Sequence, residues 1–208
     1  MLNLKARDLP DGFSLEDFTP TSALMPARLG GGMLVSTLRW LMGDQGMPQL
    51  ASIYRGLPTR DCELLATVRR SEWYPLRAWE TFLHTADDVA GRGDLAFAES
   101  LGRGAASHAL RGQAERITPV PGVPSPYTML VRALRRWRTD SCTAGSWVMT
   151  CDSPGRAVAR LGDLAMGPAF GRFLAGWLAG HVVTNGTRSW MAEVTAPGEF
   201  TLTPLRAV

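Results

Sequence analysis

The chain has 208 residues, 45% of them hydrophobic, and carries 22 basic against 19 acidic side chains for a formal net charge of +3. That length holds one sizeable core, and so small an excess of positive charge gives no reason to expect a nucleic-acid partner. No stretch approaches the ~20 consecutive apolar residues that cross a bilayer, and Asp8 and Asp11 stand where a secretory signal needs an apolar run, so a cytoplasmic protein without membrane insertion is expected.

Residues 1–32 contain Pro10, Pro20, Pro26 and the triplet Gly30-Gly31-Gly32, which discourage a long regular element, and are read as an N-terminal extension to a single domain over 33–208. Met33 to Met42 is apolar apart from Arg39 and suits a short helix or a strand turning into one. Gln45 to Tyr54 forms the next short helix, stopped at Arg55-Gly56. Trp73-Tyr74-Pro75 hands over to a helix with Pro75 at its first position. In that helix Leu76, Trp79, Phe82, Leu83, Ala86 and Val89 hold one face as far as Ala90. Asp94 caps a further helix to about Leu110, burying Leu95, Ala98, Leu101, Ala105 and Ala109.

Four prolines between Thr118 and Pro126 make a loop. Tyr127, Leu130, Val131, Leu134 and Trp137 then mark an amphipathic helix with Arg132, Arg135, Arg136 and Arg138 on its wet side. Trp147–Cys151 and Arg156–Leu161 are two strands around Asp152-Ser153-Pro154-Gly155. The closing helix, Phe170 to Val183, sets Phe170, Phe173, Leu174, Trp177, Leu178, His181 and Val182 on a bulky side. Gly171, Ala175, Ala179 and Gly180 form a small side, and Asn185-Gly186 stops the helix. Arg188–Val194 and Glu199–Leu205 form a last hairpin across Ala196-Pro197-Gly198. Helices, a hairpin, a long helix and a second hairpin make a mixed α/β (α+β) fold with an antiparallel sheet packed on helices.

Chemistry is scarce in this pattern. His84, His108 and His181 belong to no HxxxH, HExxH or Cys/His cluster, so no metal site is expected. Cys62, Cys142 and Cys151 form no CxxC pair, and their odd number suits a reducing compartment. No serine sits in a GxSxG elbow. Gly30-Gly31-Gly32 is followed by no GKS or GKT, so it is not a nucleoside-triphosphate loop. Gly102-Arg103-Gly104 lies inside a helix and permits helix–helix approach, while Asp87, Asp88 and Asp94 end and cap helices. Only one basic residue, Lys5, is a lysine; the rest are arginines, whose planar fork suits carboxylates and phosphates. Arg132, Arg135, Arg136 and Arg138, together with Arg69-Arg70 and Arg77, form the surface suited to phosphate or an acidic protein face.

Three segments carry a resemblance: the Leu101-Gly102-Arg103 helix, the Trp73-Tyr74-Pro75 entry and the closing helix Phe170-Gly171-Arg172-Phe173-Leu174-Ala175-Gly176-Trp177-Leu178 before its hairpin. Over about residues 30–206 the chain resembles a myxobacterial family of unassigned function, DUF2378. Its element order also resembles the fold shared by heme nitric-oxide-binding domains, vinyl-reductase-type ligand-binding domains and the small subunits of vesicle-tethering (TRAPP) complexes. The first of these implies an axial histidine on a helix and a Tyr-x-Ser-x-Arg motif for heme propionates. Tyr127-Thr128-Met129-Leu130-Val131 has neither that serine nor that arginine in place, and neither His84 nor His108 stands in a matching motif, so no cofactor is expected. The second implies a small-molecule pocket and dimerisation, the third a subunit acting through its surfaces.

With no catalytic constellation in the sequence, the expected function is a non-catalytic binding or regulatory module in signalling. It would act by protein association: a homodimer through the small side of the closing helix and an acidic protein at the arginine helix. The alternative is a small-molecule sensor for a hydrophobic ligand or heme, with Leu83, Leu101, Phe173, Trp177 and His181 as pocket wall.

Overall fold

The computed structural model describes residues 26–110, 128–153, 156–182 and 190–204. The chain enters through β1 (Arg28–Gly30), which pairs antiparallel with β2 (Trp73–Pro75) and buries Leu29 completely. Residues 28–30 therefore belong to the folded body, although they lie in the stretch read as an extension. Helices α1 (Gly31–Asp44), α2 (Gly46–Gly56) and α3 (Thr59–Ala66) follow β1; α4 (Leu76–Ala90) follows β2. In α4 the expected face is buried through Leu76, Trp79, Phe82, Leu83 and Ala86, while Val89 is exposed. Trp79 stacks on Phe82 at 4.5 Å.

Helix α5 (Ala96–Leu110) starts where Asp94 predicts, but its main cap comes from the preceding helix. The Asp87 carboxylate, 1% exposed, accepts the backbone N–H of Leu95 at 2.9 Å and of Phe97 at 3.0 Å. Asp94 accepts the N–H of Ala96 at 3.0 Å. Two otherwise orphaned N–H groups at a helix start thus find a buried anion, in line with the dipole.

Helix α6 (Thr128–Arg135) stops short of the expected end. A five-residue π turn, Trp137–Ser141, replaces its last part and carries Trp137 into the core, where its indole N–H donates to the Ala144 carbonyl at 2.9 Å. Strands β3 (Ser146–Ser153), β4 (Arg156–Gly162), β5 (Trp190–Ala196) and β6 (Glu199–Pro204) form one antiparallel sheet in the order β3-β4-β6-β5. Alternation sets Trp147, Ala157, Ala159, Leu161, Ala192, Phe200 and Leu202 inward. The hairpin turn uses Gly198 at φ +74°, which favours glycine. The proline-rich loop, the Asn185-Gly186 stop and the turn at Pro154-Gly155 lie outside the described residues.

Helix α7 (Pro168–His181) lies between the sheet and α5, and both its sides are buried. At Gly176 a methyl group would run into the Glu99 carbonyl, and at Gly102 into the Phe173 carbonyl. At Gly180 it would come 2.7 Å from the Ala106 Cβ. The two backbones touch because these glycines leave nothing between them. Of the small side of α7, Gly180 meets the chain's own α5, and Gly171, Ala175 and Ala179 are buried within the chain, so that side is not open for a homodimer.

Gly176→Ala is expected to destabilise the protein by about 1–3 kcal/mol through overpacking. Gly171→Ala in the same helix, where the nearest atom to an added Cβ is the Met166 sulfur at 4.0 Å, should be neutral or stabilising by up to about 1 kcal/mol. Urea midpoints for the two variants check this, and equal losses would show that α5 and α7 do not meet by their backbones.

Candidate functional site

Where α5 and α7 end side by side, a cleft of about 770 Å³ opens between them, the first turns of α1, helix α6 and the π turn. Met33, Ala105, Ala133 and Trp177 give it apolar surface; Ser36 and Ser141 add hydroxyls. His108 comes from α5 and His181 from α7. Arg70, Arg132, Arg135, Arg136 and Asp140 supply charge.

His181 is the innermost polar group, 5% exposed. Its Nδ1 lies 2.8 Å from the Trp177 carbonyl. A carbonyl only accepts, so Nδ1 carries the proton and Nε2 presents a lone pair. The imidazole sits against the Trp177 indole with ring centres 4.2 Å apart. Burial lowers its pKa to about 4, against the opposing effect of the Trp177 hydrogen bond. The ring is therefore neutral at physiological pH, an acceptor or ligand donor rather than a cation.

The two residue sets expected from the sequence meet here in part. Trp177 and His181, expected as pocket wall, share the cleft with Arg132, Arg135 and Arg136, expected as a partner-binding surface. Arg138 does not line it. Leu83, Leu101 and Phe173 are fully buried core residues and stand away from the cleft. Leu83 serves the α4 face, Leu101 belongs to α5, and Phe173 packs edge-on against Trp79 at 5.9 Å.

Other candidates fall away on geometry. His84 is exposed on α4 and lies 3.8 Å from Glu80. Cys142 is buried, and desolvation pushes its thiol up to about 11, so no thiolate forms near neutral pH. No group of three His, Cys, Asp or Glu able to hold a metal occurs among the described residues. Sequence reasoning missed Gly32 and Ser36 as cleft residues. Helical spacing four apart was the available signal for this pair, but nothing local tells which side of α1 meets a cleft.

Similar folds occur among solved structures. The unliganded Fe(II) H-NOX protein from K. algicida aligns with a TM-score of 0.58 over 86% of this chain and 98% of that chain, at 11% identity. A single-substitution mutant of that protein aligns with a TM-score of 0.59 over the same shares and at the same identity. Identity this low shows the fold alone, and it bears out the expected likeness to heme nitric-oxide-binding domains at that level. No protein-family model and no curated protein matches the chain, so membership of the DUF2378 family is not shown. Among the described residues, no helix is long and apolar enough to cross a membrane.

The neutral state of His181 has a measurable consequence. Unfolded, the imidazole takes up a proton near pH 6.5; folded, only near pH 4. Between those values the unfolded chain binds more protons, so stability falls as pH falls through that window. The expected contribution is about 3 kcal/mol. His181→Gln should flatten this part of the stability–pH curve measured by urea denaturation, whatever it does to stability at pH 7. An unchanged slope would place the wild-type ring in water.

Proposed function

We propose that the protein is a small-molecule-binding domain of sensor type and that its ligand occupies the cleft between α1, α5, α6 and α7. The observation that carries this reading is convergence. Aromatic, imidazole and guanidinium groups from separate elements face one concavity of about 770 Å³, a size and make-up usual for ligand sites. The sensor reading gains further support from the H-NOX proteins that share the fold. Protein association loses its main support, since the small side of α7 is used inside the chain.

A heme is compatible with the donor set. His181 Nε2 or His108 would hold the iron, and Arg132, Arg135 and Arg136 its carboxylates. Bound there, it would supply an iron centre able to take up nitric oxide. The chain's own contribution is to orient the imidazole through Trp177 and to place cations at the rim. Signalling would run through α6 and the π turn, provided the ligand binds two arrangements of these elements unequally.

Titration with hemin, oleate and adenosine 5′-monophosphate, followed by tryptophan fluorescence and native mass spectrometry, tests the reading. At least one should form a saturable one-to-one complex, weakened by Ala133→Trp, which fills the cleft from α6. No complex with any of the three, or a complex indifferent to that substitution, would overturn it.

A further inference from the structure

We infer that the cleft's ligand is a phosphomonoester whose phosphate lies at the first turn of α1 and whose organic body donates a hydrogen bond to His181. This rests on the cleft being the ligand site.

Three observations meet. Helix α1 has 14 residues and begins without a side-chain cap: Gly30 precedes it, and the Gly31 N–H is used by the Glu72 carbonyl at 2.8 Å. Gly32 lines the cleft, and having no side chain it can do so only with its backbone. A Cβ at Gly32 would meet nothing within 4 Å, so an oxyanion can reach this turn, where N–H groups and the helix dipole both favour negative charge.

Charge is the second. Arg70, Arg132, Arg135 and Arg136 bring guanidinium groups to the cleft lining, beside Asp140, which is 4.0 Å from Arg136. Guanidinium forks matched to several oxygens favour a phosphate dianion over a single carboxylate.

His181 is the third and is independent of the other two. It is 95% buried by its 5% exposure, and Nε2 has no partner among the described residues. Because Nδ1 holds the proton, Nε2 accepts and does not donate. A purely hydrocarbon body would cover this acceptor and leave it unpaired, which costs about 1–3 kcal/mol. A ligand carrying a hydroxyl or N–H pairs it. Anion at one end and donor at the other describe a phosphorylated small molecule.

Backbone-amide NMR of the full chain tests this, with inorganic phosphate and adenosine 5′-monophosphate as probes. The Gly32 and Met33 amides should shift saturably with both, and the monophosphate should bind more tightly. Arg70→Gln, an exposed change, should weaken binding about tenfold. Gly32→Asp has room and sets a carboxylate where the helix dipole welcomes it, so the protein should fold at least as well yet lose binding by about tenfold or more. Amides unmoved at millimolar probe, or wild-type affinity in Gly32→Asp, would overturn the inference. Binding of oleate or hemin without a phosphate response would overturn it and leave the cleft as a ligand site; no response to any probe would sink both.

Discussion

The backbone contact between α5 and α7 is the constraint on which the rest of the molecule depends. Side chains normally hold helix axes 8–10 Å apart; here Gly102, Gly176 and Gly180 remove them, and carbonyls of one helix meet α-carbons of the other. The ion pairs that accompany the contact, Arg103 with Glu99 at 3.4 Å and Arg172 with Glu99 at 3.8 Å, are partly exposed and add little by comparison. Close approach fixes the relative height of the two helices, and so brings His108 and His181 to one cleft. Dispersion over such a backbone-to-backbone seam favours one register and penalises sliding.

From this pair an aromatic chain runs to the sheet. His181 lies on Trp177, Trp177 is 5.8 Å from Trp137, Trp137 meets Trp147 edge-on at 5.5 Å, and Trp147 reaches Phe200 at 5.7 Å. The π turn supplies Trp137 as its first residue. It is also tied to the start of the fold: a Cβ at Gly30 would run into the Asp140 carbonyl. Two buried indole N–H groups, those of Trp79 and Trp147, have no hydrogen-bond partner among the described residues. Each indole has a perpendicular aromatic neighbour, Phe173 at 87° and Trp137 at 90°, the arrangement in which a ring face offsets part of such a loss.

Much of the architecture is legible in the sequence, and the reason differs by element. Helix α4 is amphipathic and stands between Pro75 and Gly91, so its end and all but one of its expected buried positions agree with the structure, while Pro75 closes β2 and precedes the helix instead of opening it. The two hairpins follow from alternation and turn residues. Helix α7 shows the limit: nearly all of it but Arg172 is buried, so periodicity separates bulky from small residues without saying which neighbour each side meets. Gly180 belongs to the seam as its size suggests; Gly176, which the periodicity assigns to neither side, belongs to it too, and Gly171 does not. Asp87 illustrates a second limit, since a cap eight and ten residues away depends on how two helices turn about Gly91. The cleft is the third. Arg132 and His181 are far apart in sequence, their helices show ordinary patterns, and only packing unites them; Leu83, Leu101 and Phe173 have the same apolar character as pocket residues yet fill the core.

In the proposed ligand-binding reading, a rigid α5–α7 pair forms one wall of a cleft whose other walls, α1's first turn and α6, respond to a ligand. Amide hydrogen exchange tests it most directly, because it ranks elements by the free energy needed to open them. Amides of α5 and α7 should exchange slowest in the chain, at the rate of global unfolding. Those of α6 and the start of α1 should exchange faster and slow down when adenosine 5′-monophosphate is added. Fast local exchange in α5 or α7, with no change at α1 and α6 on adding the probe, would contradict it.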